Sequence, residues 1–208
     1  MVKVIHSFRN QKIEKSTEED VSFILTNKKG NYIYLGEKPI SRYQGFFFFE
    51  NPRMYKLIEN INIINNKPVT EIKNNFYFVE RKRKNMVESF FMPYNHNSMV
   101  YELNKDGEIE ITIDIKESYD NRLWGRYYEI FEEKGCIIIK FTKRTDNKED
   151  NSHGMEEYAL YSAIKSKNNN FEKIERWIER YYKSDEQRNS VPFMRYVFYA
   201  LKLKGKKF

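Results

Sequence analysis

A polar tetrapeptide ending in glycine, Arg42-Tyr43-Gln44-Gly45, stands directly before the phenylalanine run Phe46-Phe47-Phe48-Phe49. A guanidinium, a phenol and a primary amide offer hydrogen-bond donors and acceptors, but no group ready for nucleophilic attack or proton abstraction at neutral pH. Arg42, Tyr43 and Gln44 are the candidate binding residues, set where an apolar strand begins. The plainer alternative pairs Arg42 with a local carboxylate and leaves it only to fix a turn. Trp124-Gly125-Arg126-Tyr127-Tyr128 is a second candidate, because flat rings stack on sugars and on bases. In a chain that is 16% aromatic, edge rings of a sandwich core account for it more simply.

Reactive side chains are sparse. His6, His96 and His153 lie far apart without metal-ligand spacing and read as surface residues. The single cysteine, Cys136, excludes an internal disulfide and sits in the apolar run Cys136-Ile137-Ile138-Ile139, as a small core residue does. No phosphate-cradling glycine loop and no Gly-x-Ser-x-Gly elbow is present. Acidic residues are plentiful, but most alternate with apolar ones as solvent-facing groups do, and none forms a distinctive pair. No catalytic residue, metal or cofactor is expected from these residues.

The elements that must position such groups are mostly strands. Short runs rich in aromatic and β-branched residues recur: 21–25, 32–35, 43–49, 55–64, 76–80, 86–92, 98–103, 109–115, 126–131 and 136–142. Asp106-Gly107 reads as a hairpin turn between two of them. Ile109, Ile111, Ile113 and Ile115 alternate with Glu110, Thr112, Asp114 and Lys116, which predicts one buried and one wet face. The segment 145–154 is the best loop. Residues 158–164 suit strand or helix. Phe171, Ile174, Trp177, Ile178 and Tyr181 follow a helical stripe with Asn170 as N-cap, and residues 193–203 return to strand. The expected fold is a single mainly β domain over residues 1–208, a large antiparallel β-sandwich with one helix late in the chain.

The net charge of +7 fits either an anionic partner or a lysine-rich composition, and the scattered lysines favour composition. The densest basic run, Glu80-Arg81-Lys82-Arg83-Lys84, reads as a solvated loop. No apolar run approaches the roughly 20 residues of a membrane helix, and the start lacks a signal-peptide core. A cytoplasmic protein is expected, with no membrane partner.

Four local patterns together resemble one family. Phe23-Ile24-Leu25-Thr26-Asn27-Lys28-Lys29-Gly30-Asn31-Tyr32 is similar to the opening of the N-terminal domain of bacterial and archaeal glycogen debranching enzymes. Arg42-Tyr43-Gln44-Gly45 resembles that domain's Arg-Tyr-His-Gly, with Gln44 in place of histidine, and the resemblance implies that Arg42, Tyr43 and Gln44 sit at the sheet's rim, facing a barrel domain or sugar hydroxyls. Val87-Glu88-Ser89-Phe90-Phe91-Met92-Pro93 resembles its Val-Glu-Lys-x-(Phe/Val)-Met-Pro. Trp177, Tyr181, Tyr182, Glu186, Gln187 and Arg188 resemble aromatics followed by Glu-x-Arg-Gly, with Asn189 replacing the glycine. The resemblance spans residues 21–203. It implies a super-β-sandwich that accompanies the α/α-barrel glucosidase of amylo-α-1,6-glucosidases and related glucoamylases. It further implies that this chain carries no barrel, is itself inactive, supports the barrel domain and contacts α-glucan such as glycogen or maltodextrin. A basic, aromatic-rich nucleic-acid-binding module is the alternative, disfavoured because no recognisable RNA-binding aromatic motif or helix-turn-helix is present. In a covered sandwich strand, Phe46 to Phe49 would be buried on both faces, with Gly45 permitting a bend into it.

Overall fold

The computed structural model describes residues 1–64, 67–145, 156–166 and 170–208. In chain order the strands are β1 (Val2–Phe8), β2 (Gln11–Thr17), β3 (Ser22–Thr26), β4 (Tyr32–Gly36), β5 (Gly45–Glu50), β6 (Arg53–Ile63), β7 (Val69–Asn74) and β8 (Phe78–Arg83). They continue as β9 (Met86–Phe91), β10 (Val100–Glu117), β11 (Arg126–Glu133), β12 (Cys136–Thr145), β13 (Glu156–Ile164) and β14 (Asn170–Tyr181). The helix α1 (Lys183–Gln187) and the strand β15 (Met194–Lys207) complete the chain. The protein is thus mainly β, with one short helix among the described residues.

A 12-stranded sheet runs β2-β1-β7-β8-β9-β10-β6-β5-β4-β3, with β15 paired to β10 and β14 paired to β15. All its pairs are antiparallel except β1 with β7, so the sheet is mixed. A second sheet, β11-β12-β13, packs on it. The large sheet rolls over itself. Phe23 of β3 lies 4.9 Å from Phe90 of β9, Asn27 Nδ2 donates to the Pro93 carbonyl at 2.9 Å, and Arg81 of β8 donates to the carbonyl of Gly36. One core results. It joins Ile33 and Leu35 of β4, Phe90, the β10 row Ile109, Ile111, Ile113 and Ile115, and Ile137, Ile139 and Phe141 of the second sheet. Each such side chain contributes about 1.5–3 kcal/mol by leaving water.

Several elements depart from the sequence expectation. Residues 98–115 form no hairpin. From Val100 on they belong to one 18-residue strand, β10 (Val100–Glu117), and Asp106-Gly107 marks an irregularity where its ladder with β15 skips from Glu102 to Gly107. Along this strand β10 pairs β9 through Val100–Leu103 and then β6 from Ile109 onward. The stripe at 171–181 is strand β14, not helix. A bulge between Lys173 and Arg176, with Glu175 at φ +50°, adds a residue and turns a two-residue alternation into near-helical spacing. The helix comes after it, at Lys183–Gln187. Strands β1, β2 and β7 were not expected. Residues 146–154 of the expected loop, with His153, lie outside the described residues.

The run Arg81-Lys82-Arg83 is strand rather than solvated loop, and Arg81 and Arg83 are buried. Arg81 Nε and Nη2 reach Glu88 at 2.7 and 2.6 Å, Arg83 Nε reaches it at 3.0 Å, and Tyr101 Oη at 2.9 Å. Burial pushes the Glu88 carboxyl up, but the two guanidiniums outweigh it and hold it below the usual carboxylate range.

The phenylalanine run enters strand β5 through Gly45, at φ +128°, where an added Cβ would lie 2.0 Å from the Ile58 carbonyl oxygen. Phe46 joins the core. Phe47, on the other face, stacks on Tyr32 at 4.5 Å and lies beneath the Lys56 ammonium at 5.6 Å. Both are buried, and Phe48 and Phe49 are half-buried. The strand is therefore covered on both faces at its start and opens toward its end.

Candidate functional site

The face of β10 expected to be wet is buried beyond Glu110: Thr112, Asp114 and Lys116 are all enclosed. The β10–β15 ladder ends at the Ile113–Phe198 pair, and an ion cluster begins next to it. Asp114 accepts from Arg126 Nη1 at 3.0 Å and faces Arg195 Nε at 3.3 Å. Burial pushes its carboxyl up, yet Arg195 and then Lys116, Lys56 and Arg126 drive it well below the carboxylate range. Arg195 in turn donates to the Asn121 carbonyl at 3.1 Å. Lys116 donates to the carbonyls of Ser118 and Asp120, both at 2.9 Å. Burial lowers its ammonium to about 7, with Asp114 opposing that fall. Beside it Lys56 pairs with Glu59, and Glu59 accepts from Tyr182 Oη at 2.9 Å. Burial and the Glu59 charge raise the Tyr182 phenol well above its ordinary value.

The tetrapeptide Arg42-Tyr43-Gln44-Gly45 belongs to the same region. The Lys56 ammonium donates to the Arg42 carbonyl at 2.9 Å. Arg42 N donates to Asp185 Oδ2 at 2.8 Å, and its guanidinium reaches the carbonyls of Ser190 and Pro192 at 2.5 and 3.2 Å. The same guanidinium lies over the Tyr43 ring at 4.9 Å and bonds Tyr43 Oη at 3.1 Å. Arg42 therefore fixes a turn against the segment around α1, through carbonyls rather than a side-chain carboxylate. Gln44 is buried. Its Oε1 accepts from the N–H groups of Ile40 and Ser41, the latter at 3.2 Å, while its Nε2 has no partner. Tyr43 is half-buried. The three candidates are brought together, and the hydrogen bonds of Arg42 and Gln44 run mainly to the protein's own backbone.

The second candidate divides. Tyr128 is a core ring, stacked on Phe198 at 4.6 Å, and its hydroxyl accepts from Ile115 N at 3.1 Å. Arg126 joins the ion cluster. Trp124 and Tyr127 are exposed. Gly125, at φ +66°, makes the turn possible, since a Cβ there would lie 1.7 Å from the Arg144 carbonyl oxygen.

An exposed aromatic surface extends from Trp124. On one face of the β14–β15 pair stand Trp177, Tyr181, Met194 and Tyr196, each 42–52% exposed. Register places Tyr181 opposite Met194, and Trp177 opposite the core ring Phe198. Arg126 lies 4.6 Å from the Trp177 ring and donates to the carbonyls of Leu123 and Tyr196, at 3.0 and 2.9 Å, which ties the Trp124 turn to this face. The misread helical stripe concealed this surface, because only strand geometry puts Trp177 and Tyr181 beside residues of β15.

Each buried carboxylate has a cation within reach: Glu59 has Lys56, Glu88 has Arg81 and Arg83, Asp114 has Arg126 and Arg195, and Asp185 has Arg188. Glu88 and Asp114 are held below the usual carboxylate range, the opposite of what a general acid needs. His6 and His96 are exposed, and Cys136 is half-buried at the start of β12. Among the described residues no group of three His, Cys, Asp or Glu side chains could hold a metal ion, and no helix is long and apolar enough to cross a membrane. No family model, curated protein or solved structure matches the chain.

Proposed function

We propose that the chain is a non-catalytic β-sandwich module of a glycogen-debranching type of enzyme, which packs against an α/α-barrel glucosidase and contacts α-glucan. The observation that carries this reading is the aromatic face made by Trp177, Tyr181, Met194 and Tyr196 beside Trp124. Contiguous exposed rings mark interaction surfaces. Their apolar planes and polar edges suit both the C–H faces of pyranose rings and the apolar side chains of a partner domain. The neutralised buried carboxylates support a non-catalytic role, because inverting glycoside hydrolysis needs an acid and a base about 6.5–9.5 Å apart on opposite sides of the sugar. The ordered sequence resemblance through residues 23–32, 42–45, 87–93 and 177–188 supports the debranching context. Arg42, Tyr43 and Gln44 serve this function by holding the turn that braces the sheet face.

The test is affinity electrophoresis of the full chain through gels containing glycogen, alongside an assay for glucose release from branched dextrin. Retardation by glycogen, reduced several-fold in Trp177→Ala and Tyr196→Ala, is expected, with no glucose released. Salt-sensitive binding of an oligonucleotide, with no retardation by glycogen, would favour a nucleic-acid module instead. Sustained glucose release lost on mutation of an acidic residue would overturn the non-catalytic role.

A further inference from the structure

On the polar side of the central sheet lies an open cleft of about 500 Å³. Asn62 of β6 and Glu110 of β10 stand opposite each other in register, and Asn60 follows two residues earlier on β6. Asn60 Nδ2 donates to Asn62 Oδ1 at 2.9 Å, which orients both amides while occupying one end of each. Glu110 Oε1 accepts from Tyr199 Oη at 2.7 Å. Arg180 of β14 also lines the cleft, and its buried Nε has no hydrogen-bond partner.

The wall is rigid. Arg83 is clamped by Glu88 and by the Lys67 carbonyl at 2.8 Å, and reaches Glu37 at 3.3 Å. Glu37, Lys38 and Pro39 lie on the loop after β4. That loop is the one Gln44 holds through the N–H groups of Ile40 and Ser41. Gln44 is thus a positioning residue for the cleft, although it does not line it.

The lining chooses among ligand classes. It includes no aromatic ring, so recognition there runs through hydrogen bonds and charge rather than ring stacking. Both signs of charge are present, with Glu37 and Glu110 against Lys38, Arg83 and Arg180, so an anion meets two carboxylates and a cation meets three positive groups. Planar groups that combine fixed donors and acceptors match adjacent hydroxyls, which donate and accept at once. We infer that this cleft is a subsite for a neutral saccharide, held by Asn60, Asn62, Glu110 and Arg180. The inference rests on the glucan-associated reading given above, and places a second contact apart from the aromatic face.

The test is calorimetric titration of the full chain with maltotriose, and with cellobiose and trehalose as other neutral sugars. Glu110→Gln, Arg180→Met and Asn62→Ala are compared with Trp177→Ala, with melting temperatures measured throughout. The expected result is saccharide binding weakened at least tenfold in the three cleft variants at unchanged melting temperature. Gln44→Ala should weaken it too. Maltotriose binding that survives all three cleft variants but is lost in Trp177→Ala would overturn the cleft while leaving the module reading intact. Cleft-dependent binding of cellobiose or trehalose without binding of maltotriose or glycogen would support the cleft and overturn the glucan reading. No binding of any of the three sugars, or displacement of a bound sugar by inorganic phosphate, would overturn the saccharide assignment.

Discussion

Replacing Glu88 by glutamine measures how far the rolled sheet depends on one buried charge. Glu88 has no exposed surface and accepts four hydrogen bonds, two from Arg81, one from Arg83 and one from Tyr101. Glutamine keeps one acceptor oxygen and turns an NH₂ group toward a guanidinium. Arg81, itself fully buried, would then remain charged without a counter-ion, because arginine does not deprotonate in proteins. Breaking a buried pair from one side typically costs about 3–5 kcal/mol, and domain stabilities run about 5–15 kcal/mol, so the variant should lose a large share of its stability. Urea unfolding followed by far-ultraviolet circular dichroism at pH 7 would read the loss. The double variant Arg81→Met, Glu88→Leu should recover much of it, since neither charge then needs desolvation, and Arg83 keeps Glu37 as a partner at 3.3 Å. The pH dependence has a fixed sign. The carboxyl is held below its ordinary value in the folded state, so its contribution is complete above the unfolded value of about 4.3 and fades as pH falls through the lower folded value. The gap between wild type and Glu88→Gln should therefore narrow only in acid. A Glu88→Gln variant within about 1 kcal/mol of wild type at pH 7, with an unchanged denaturant slope, would refute the stranded-charge reasoning.

Phe46→Ala and Phe47→Ala should each cost about 3–5 kcal/mol in denaturant unfolding, because their rings are buried on opposite faces of β5; a small loss for Phe47 alone would mean its face is wet. Lys116 has an ammonium lowered to about 7, so the unfolded chain holds more protons between that value and about 10.4, and stability should rise with pH across this window. Melting temperatures at pH 7 and pH 10 would show the rise, and Lys116→Met should flatten it. Gly45→Ala should cost about 2 kcal/mol or more in chemical unfolding, from a positive φ and a Cβ 2.0 Å from the Ile58 oxygen; a neutral effect would mean that β5 and β6 can separate at the bulge.

What the sequence concealed has a common origin. Alternation along Ile109–Lys116 located the apolar face of β10, since hydrophobic burial leaves a two-residue signature. It could not reveal what covers the other face, because a solvated row and a buried ion cluster use the same residue types. Asp114 and Lys116 are enclosed by cations that lie 12 and 81 residues from Asp114, at Arg126 and Arg195. The basic run at 81–83 misled for the same reason, its counter-ion being Glu88 across the β8–β9 pair. Phe171–Tyr181 misled differently, since one extra residue at a bulge shifts parity and imitates a helical period. At 42–45 the sequence left a binding rim and a simple turn equally open and ran the strand from Tyr43, whereas the strand begins at Gly45 and Arg42 braces the turn before it. The cleft at Asn60, Asn62, Glu110 and Arg180 was not legible, since neighbours across a sheet carry no mark of their pairing along the chain.

Strand β10 is flanked on one side by β9 and β6, and on the other by β15, which lies far downstream of it in sequence. During vectorial synthesis the spine of the sheet therefore leaves the ribosome well before the strand that closes its open side. Until residues 194–207 emerge, one edge of β10 has unsatisfied backbone groups, and β14 has no sheet to join. Such an edge is a template for intermolecular pairing. Completion of the sheet is thus a late event, gated by a closure between distant parts of the chain, which makes folding slow relative to a helical protein of equal size. Loss of β15 would do more than shorten an edge: it would bare one side of β10 at the centre of the sheet and leave β14 detached, so truncation there should yield aggregate rather than a smaller folded domain.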